Sequence, residues 1–248
     1  MMRRKAALAV LIVGGIISAL LPDSHAQSAY EVDQSISGVT VNGRAVFTGI
    51  LPKPKPLPVH RDSAFCGKSM PHEGLQVDGS SREVGGVVVS LEGVAKGKPL
   101  EDQTVVFENR TCRFLPRVNA IAVDSFMVIS NADPIMHNTH IRKDSRFGAT
   151  VVNVAQPPGS KEIRKHLHES GLLDIRCDAH AFMYASIHVF DHPYFAVTNE
   201  SGHFELTHVP PGTYRLKVWH ETLGVRERTV VVPGKDSVIV DVELHPEE

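Results

Sequence analysis

The chain has 248 residues, and its composition, 42% hydrophobic and 22% charged, is that of an ordinary globular protein. Lys and Arg total 26 against 28 Asp and Glu, so the formal net charge is −2. This balance, without a strongly basic stripe, gives no support for nucleic-acid binding, and we expect no nucleic-acid partner.

The N-terminus has the pattern of a secretory signal peptide. Residues 3–5 are basic, the apolar run 6–21 follows, and Ala26 is the small residue after which cleavage is expected. The apolar run has 16 residues, whereas about 20 are needed to cross a bilayer. We therefore predict removal of residues 1–26, with an uncleaved anchor as the alternative. A periplasmic or secreted protein without stable membrane insertion is expected.

Short apolar, β-branched segments between Gly, Pro, Asn and Asp turns predict an all-β fold. The predicted strands up to residue 190 are Val39–Phe47, Val87–Leu91, Thr104–Glu108, Ser125–Ser130, Val151–Ala155, Lys161–His168, Leu172–Cys177 and Ala185–Phe190. A short helical turn is the alternative for Lys161–His168. The alternating prolines of Pro52–Pro58 predict an extended connector, because proline donates no backbone hydrogen bond. Residues 27–60 are accordingly predicted to be an N-terminal extension with a Pro-rich connector, for which a Pro-rich recognition ligand is the alternative.

After Asp191 the strands become evenly spaced, which predicts a second, smaller β-sandwich. Its predicted strands are Tyr194–Thr198, His203–Thr207, Tyr214–His220, Glu227–Val232 and Ser237–Leu244. We therefore predict a first sandwich over 61–190 and a second over 191–248.

The chain has three cysteines, and two of them can pair in an oxidising compartment. Cys177 lies among the residue types of a metal site, so the economical assignment is a Cys66–Cys112 disulfide. Cys66 also belongs to a cluster of soft and imidazole side chains over 60–72. We expect this cluster to be a loop held by the disulfide, and a second copper site is the alternative.

The segment Cys177-x-x-His180-x-x-Met183 carries a thiol, an imidazole and a thioether, and His137 upstream adds a second imidazole. Two imidazoles, one thiolate and a weak thioether are the ligands that select copper for electron transfer. Because the loop is short and lies between two predicted strands, we expect it to hold these ligands in place. Asn138 is expected to bond the backbone beside Cys177 and to tie the two ligand segments together.

These motifs, with Pro134–His140 upstream, resemble the cupredoxin (blue copper, plastocyanin-like) family, and the short loop is most similar to its amicyanin branch. The resemblance implies a Greek-key cupredoxin-like β-sandwich, one type 1 copper and single-electron transfer to a redox partner protein. It makes His137, Cys177 and His180 the equatorial ligands. Met183 would be the weak axial ligand. If one ligand reaches the surface, we expect it to be His180, beside an apolar docking patch formed by its neighbours in the loop.

In residues 191–248 the run from Tyr194 and the turn Pro210–Tyr214 resemble the carboxypeptidase regulatory-like domain, a transthyretin-like and non-catalytic β-sandwich. The sequence lacks hydrolase motifs such as Gly-x-Ser-x-Gly and His-Glu-x-x-His, so we expect no enzyme. The alternative to an electron carrier is a non-redox envelope module, in which 191–248 contacts a glycan or a protein and the copper is structural or lost. Copper delivery or storage is a third hypothesis.

Overall fold

The computed structural model describes residues 30–246, which form an almost entirely β structure with one helix of a single turn. The predicted signal peptide, residues 1–26, lies outside the described residues. The strands are β1 (Glu31–Val32), β2 (Val39–Phe47), β3 (Leu57–Pro58), β4 (Ser69–Met70), β5 (Val88–Glu92), β6 (Lys96–Gly97), β7 (Thr104–Arg110), β8 (Arg113–Leu115), β9 (Val118–Ala122), β10 (Phe126–Asn131), β11 (His137–Lys143), β12 (Thr150–Gln156), β13 (Ile163–His166), β14 (Gly171–Arg176), β15 (Tyr184–Phe190), β16 (Phe195–Val197), β17 (His203–Val209), β18 (Gly212–His220), β19 (Gly224–Val232), β20 (Val238–Ile239) and β21 (Val242–Leu244). The helix α1 (Ser63–Cys66) lies between β3 and β4. Within 30–246, no helix has the length and apolar character needed to cross a membrane.

The first sandwich consists of two sheets with the strand orders β13-β10-β7-β8 and β12-β11-β14-β15-β9. Burial alternates along much of β10 and β14, as expected for strands with one face on a core. Phe107 and Ile129 from one sheet meet Ile175 and Ile187 from the other in a single buried cluster. The two sheets therefore pack face to face, and the loop between β14 and β15 lies at one end of this core.

The second sandwich has the strand orders β16-β5-β18-β19 and β17-β2-β20, and β21 also pairs with β2. Its core joins Val89 and Leu216 of the first of these sheets to Val41 and Leu206 of the other. The predicted all-β class, with two β-sandwiches, is confirmed.

The second sandwich takes strands from both ends of the chain. Strand β2 lies in the predicted extension 27–60 and β5 in the predicted first domain 61–190, yet both pair with strands from the segment 191–248. The apolar face of β2, with Val41 and Phe47, is buried in the second core. The predicted boundaries thus cut through the sheets, because an apolar pattern reveals a strand but not its distant partner.

Individual strands agree closely with the predicted segments. Val39–Phe47 has the bounds of β2, and within Lys161–His168 the structure forms β13 rather than a helical turn. The predicted strand Ser237–Leu244 is divided into β20 and β21. The interruption lies at Asp241, whose carboxylate accepts the Arg44 backbone N–H at 3.0 Å in place of a main-chain carbonyl.

The predicted Cys66–Cys112 disulfide is confirmed, and Cys177 is the free cysteine. The disulfide joins α1 to the turn between β7 and β8 of the first sandwich. Since Cys66 is oxidised, the cluster over 60–72 has no thiolate to offer a second copper ion. In the predicted connector Pro52–Pro58, residues 52–56 have no regular secondary structure, whereas Leu57–Pro58 form β3, which pairs with β4.

Candidate metal centre

The loop between β14 and β15 presents the three predicted ligands through two consecutive tight turns. The His180 N–H donates to the Cys177 carbonyl at 3.2 Å, and the Met183 N–H donates to the His180 carbonyl at 2.9 Å. The Cys177 N–H donates back to the Met183 carbonyl at 3.3 Å. The backbone of the loop is therefore closed on itself, and Cys177 and Met183 share the buried core of the first sandwich.

His137 reaches the same place from the first residue of β11, which pairs with β14. Its Nδ1 atom lies 3.2 Å from His180 Nδ1, and the latter lies 3.5 Å from Cys177 Sγ. One donor atom from each of the three residues lies within 4.8 Å of the other two, and all three residues are buried. The structure thus brings His137, Cys177 and His180 together, with Met183 at the end of the same loop.

Each imidazole ring is held at its outer nitrogen by a carboxylate. His137 Nε2 lies 2.8 Å from Asp133 Oδ2, and His180 Nε2 lies 3.0 Å from Asp62 Oδ2. A carboxylate accepts hydrogen bonds, so each Nε2 carries the proton and each Nδ1 keeps a lone pair. Ligand histidines in metal sites are commonly oriented in this way by a carboxylate.

The two carboxylates were not predicted from the sequence. Asp133 precedes Pro134, so the sequence suggests only a turn residue there. Its position four residues before His137 was the available indication of a contact with that ring. Asp62 is separated from His180 by 118 residues, and no local pattern links them.

Asn138 connects the two ligand segments. Its Oδ1 accepts the backbone N–H of Asp178 at 3.0 Å, and its own backbone N–H donates to Cys177 Sγ at 3.4 Å. This is the contact expected of Asn138 from the sequence, while its effect on a metal stays a prediction.

Burial shifts the titration of two predicted ligands in opposite directions. Desolvation raises the pKa of the Cys177 thiol, although backbone N–H groups, that of Asn138 first, oppose the rise. Desolvation also lowers the pKa of His137, opposed by the hydrogen bond to Asp133. The site therefore favours a neutral thiol and a neutral imidazole. A metal cation that replaced the thiol proton would bind the lone pairs of the Cys177 sulfur and of the two Nδ1 atoms, which otherwise face one another.

The separations of His180 Nδ1 from His137 Nδ1 and from Cys177 Sγ fit a single metal ion. Bonds of about 2.0–2.1 Å to nitrogen and about 2.3 Å to sulfur, the values for zinc, let one ion bridge donors up to about 4 Å apart. The observed separations of 3.2 Å and 3.5 Å lie within that limit. The group Cys112, Asp133 and His137 also converges, but its sulfur belongs to the disulfide and is no thiolate.

His180 does not reach the surface, and neither do the other three predicted ligands. Its side chain is 0% exposed because the segment around Asp62 lies over its outer edge. Ala181 of the expected docking patch is exposed, whereas Ala179 and Phe182 are half-buried.

Another group of potential ligands lies on the surface of the first sandwich. His168 Nδ1 lies 3.5 Å from Asp124 Oδ1, and the rings of His166 and His168 meet edge to face. Asp124 and His168 are exposed, and His166 is half-buried.

Comparison with known proteins gives partial matches. The family model of polysaccharide lyase family 4, domain II (fn3_3) matches residues 184–239, from β15 to β20. No curated protein matches the chain. The resemblance of 191–248 to a carboxypeptidase regulatory-like domain stays a prediction, since the matched family is a different one.

Among solved structures, the neighbours are copper proteins at low coverage. A copper-containing nitrite reductase from Thermus scotoductus SA-01 is 22% identical over 38% of this chain and 24% of its own, with a TM-score of 0.32. Amicyanin from Paracoccus versutus is 19% identical over 35% of this chain and 81% of its own, with a TM-score of 0.31. A purple cupredoxin from Nitrosopumilus maritimus is 18% identical over 36% of this chain and 100% of its own, with a TM-score of 0.28. At these scores the likenesses carry no argument about function, for which the site itself is the basis.

Proposed function

We propose that this protein binds one type 1 copper ion through His137, Cys177 and His180. Met183 is the weak axial ligand in this proposal, and the protein carries single electrons in the periplasm. The observation that supports it most is the buried convergence of two imidazole Nδ1 atoms on the free Cys177 thiol, with the Nε2 atom of each ring facing a carboxylate. Two imidazoles with a thiolate are the equatorial set of electron-transfer copper sites.

The role of the chain is to hold these donors still and to tune them. Copper, when bound, would supply the one-electron chemistry by changing between Cu(I) and Cu(II). The turns of the loop fix Cys177 and His180, and Asp133 fixes the His137 ring. Donors that are held in place in both oxidation states keep the reorganisation small, which favours fast transfer. The Asn138 N–H on the Cys177 sulfur is of the kind that adjusts the reduction potential.

A spectroscopic titration tests this function. Cu(II) added to the purified metal-free protein should give an intense thiolate-to-copper band in the visible spectrum, with one copper per chain by metal analysis and a type 1 electron paramagnetic signal. Cys177→Ser should abolish the band, while His166→Ala, at the exposed cluster, should leave it unchanged. Stoichiometric copper binding without that band would refute the type 1 assignment.

As an electron carrier, the protein would act on a redox partner protein rather than catalyse a reaction of its own. Reduction of the copper-loaded protein by a small electron donor, followed by reoxidation without any other chemical change, is the expected behaviour. Conversion of nitrite or another small substrate at a steady rate would contradict the assignment as a carrier.

A second candidate function is a non-redox envelope module that contacts a glycan or a protein. It is favoured by the match of 184–239 to a domain of a polysaccharide lyase family and by a groove of about 500 Å³ between the sandwiches. Trp219 lies in this groove with its ring 4.4 Å from that of His188, and Arg215 and Glu92 also line it. Retention on a polysaccharide column that is lost in Trp219→Ala but kept in His137→Ala would favour this function. If the wild type and both variants all pass through the column without retention, the tested polysaccharide is excluded as a ligand.

A further inference from the structure

Residues 57–70, called the cap below, form a small unit that lies over the metal centre. Strands β3 and β4 pair antiparallel, with Leu57 opposite Met70, and α1 lies between them. A backbone hydrogen bond from Val59 N–H to the Lys68 carbonyl, 3.2 Å, closes the base of the unit. Val59, Cys66 and Met70 of the cap are buried in the core of the first sandwich. The cap is therefore packed onto the site rather than lying free beside it.

Asp62 is the cap residue that touches a candidate ligand. It precedes α1 in a left-handed backbone conformation, φ 54°, which is uncommon for a residue other than glycine. In this position its carboxylate accepts the His180 Nε2–H at 3.0 Å. The His180 side chain is 0% exposed while that of Asp62 is 35% exposed, so Asp62 stands between the imidazole and solvent.

The other side of the loop is closed as well. Met70 of the cap, Phe182 and Met183 border a cavity of only about 20 Å³. This space is about that of one water molecule. It leaves no room for a small reductant or chelator to approach Met183 from this side.

The Cys66–Cys112 disulfide links the two carboxylates that orient the rings. Asp62 lies four residues before Cys66, and its backbone carbonyl accepts the Cys66 N–H at 2.9 Å. On the other side, the Cys112 N–H donates to Asp133 at 2.8 Å. One covalent bond thus connects the element that holds His180 to the element that holds His137.

We propose that residues 57–70 are a disulfide-anchored cap that closes the metal centre, in which Asp62 is a positioning residue for His180. The inference rests on the proposed function, since the occupant is a copper ion held by His137, Cys177 and His180. The cap has to open for copper to enter or leave, and it keeps exogenous ligands away from the metal. The metal centre is thereby built for retention of its ion and for electron transfer through protein, with no ligand edge offered to solvent.

The first test needs no metal. Cys177 is the only thiol when the disulfide is intact, and it is also the only one in the double variant Cys66→Ser/Cys112→Ser. Its rate of reaction with a small aromatic disulfide reagent should therefore report cap opening in both proteins. We expect an increase of about tenfold or more in Asp62→Ala and in the double variant, since local opening that costs about 1.4 kcal/mol less is ten times more populated. Leu216→Ala, in the core of the second sandwich, is the control for general destabilisation.

The second test follows copper itself. In Asp62→Ala, copper should pass to a competing chelator faster than in the wild type, and its affinity should fall by about 10- to 100-fold, as for other partners of ligand histidines. Asp62→Asn keeps an acceptor for the His180 Nε2–H and should recover part of the loss. The energy of the thiolate-to-copper band should shift in Asp62→Ala and return towards the wild type in Asp62→Asn, a response that mere loosening of the surface would not give.

The outcomes separate the two proposals. A wild type that forms no copper–thiolate band refutes the proposed function, while the thiol reactivity still decides whether the cap closes the site. A wild type that binds copper, with Asp62→Ala at wild-type rates of both thiol reaction and copper release, overturns the cap. If the double variant does not fold, Asp62→Ala, which alters a partly exposed side chain, decides the question alone.

Discussion

The Asp133 carboxylate, which is 5% exposed, accepts three hydrogen bonds at the edge of the metal centre. Its Oδ1 atom accepts the Thr111 N–H at 2.6 Å, and its Oδ2 atom accepts the Cys112 N–H at 2.8 Å and the His137 Nε2–H at 2.8 Å. Asp133→Asn keeps the shape of the side chain but replaces one acceptor oxygen by an NH₂ group. Whichever way the amide is turned, at least one of the three donors then faces another donor.

The size of the effect follows from these contacts. A hydrogen bond to a charged group contributes about 1.5–3 kcal/mol, and a buried donor left without a partner adds a cost of about 1–3 kcal/mol. The substitution should therefore lower the free energy of unfolding of the metal-free protein by about 3 kcal/mol. If the NH₂ group faces His137, the imidazole moves its proton to Nδ1, where it points at His180 Nδ1. Metal affinity should then fall by about 10- to 100-fold.

Two measurements check this prediction. Urea unfolding of the metal-free variant gives the loss of stability, and copper competition with a chelator gives the loss of affinity. Asp102→Asn is the matched control, because Asp102 is exposed and precedes β7, whose opposite end leads to Cys112. Wild-type stability and wild-type copper affinity in Asp133→Asn would refute the reasoning that this carboxylate sets the His137 tautomer.

Three further predictions concern the fold. Burial lowers the pKa of His188 and of His220 to about 4. In the unfolded chain these histidines bind protons with a pKa of about 6.5. The stability that is present above pH 6.5 should therefore be lost as the pH falls towards 4. The loss is about 3 kcal/mol per residue, measurable as urea midpoints at several pH values. Gly43→Ala would place a Cβ 2.0 Å from the Val240 carbonyl oxygen. The clash should lower the free energy of unfolding by about 1–3 kcal/mol, measured by thermal unfolding. An unchanged melting temperature would contradict this prediction. Deletion of 191–248 removes strand partners of β2 and β5 and should give an aggregated product on size exclusion, whereas a soluble monomer would show that the first sandwich folds alone.

The ligand loop could be predicted because everything needed to recognise it is local. Cys177, His180 and Met183 lie within a few residues of each other between two segments with clear strand patterns, and the turns that join them are short. The residue types alone then point to copper. His137 was identifiable since it begins a segment that carries Asn138 as well.

The closure of the site could not be predicted, because it depends on contacts between distant segments. Asp62 looks like any surface carboxylate in a turn, and only the folded chain places it 3.0 Å from His180. For this reason the sequence could not show that His180 and the other predicted ligands are all buried. The disulfide was predictable from the number of cysteines together with the place of Cys177 among metal-site residue types. Neither reveals that Cys66 and Cys112 each lie beside a carboxylate that contacts a histidine ring.

The same limit explains the domain boundaries and leads to a structural consequence. Within the described residues, the chain contributes β2 to the second sandwich, passes over the candidate metal centre with residues 57–70, and returns to the second sandwich with β5. Residues 48–56 and 71–87 connect the two ends of the cap to β2 and β5 of the other sandwich, while the disulfide ties its middle to the first. The proposed opening of the cap therefore has to take place with both ends and the disulfide attached. Residues 39–70 are therefore no detachable extension, because they supply β2 to the second sandwich and the proposed cap to the candidate metal centre.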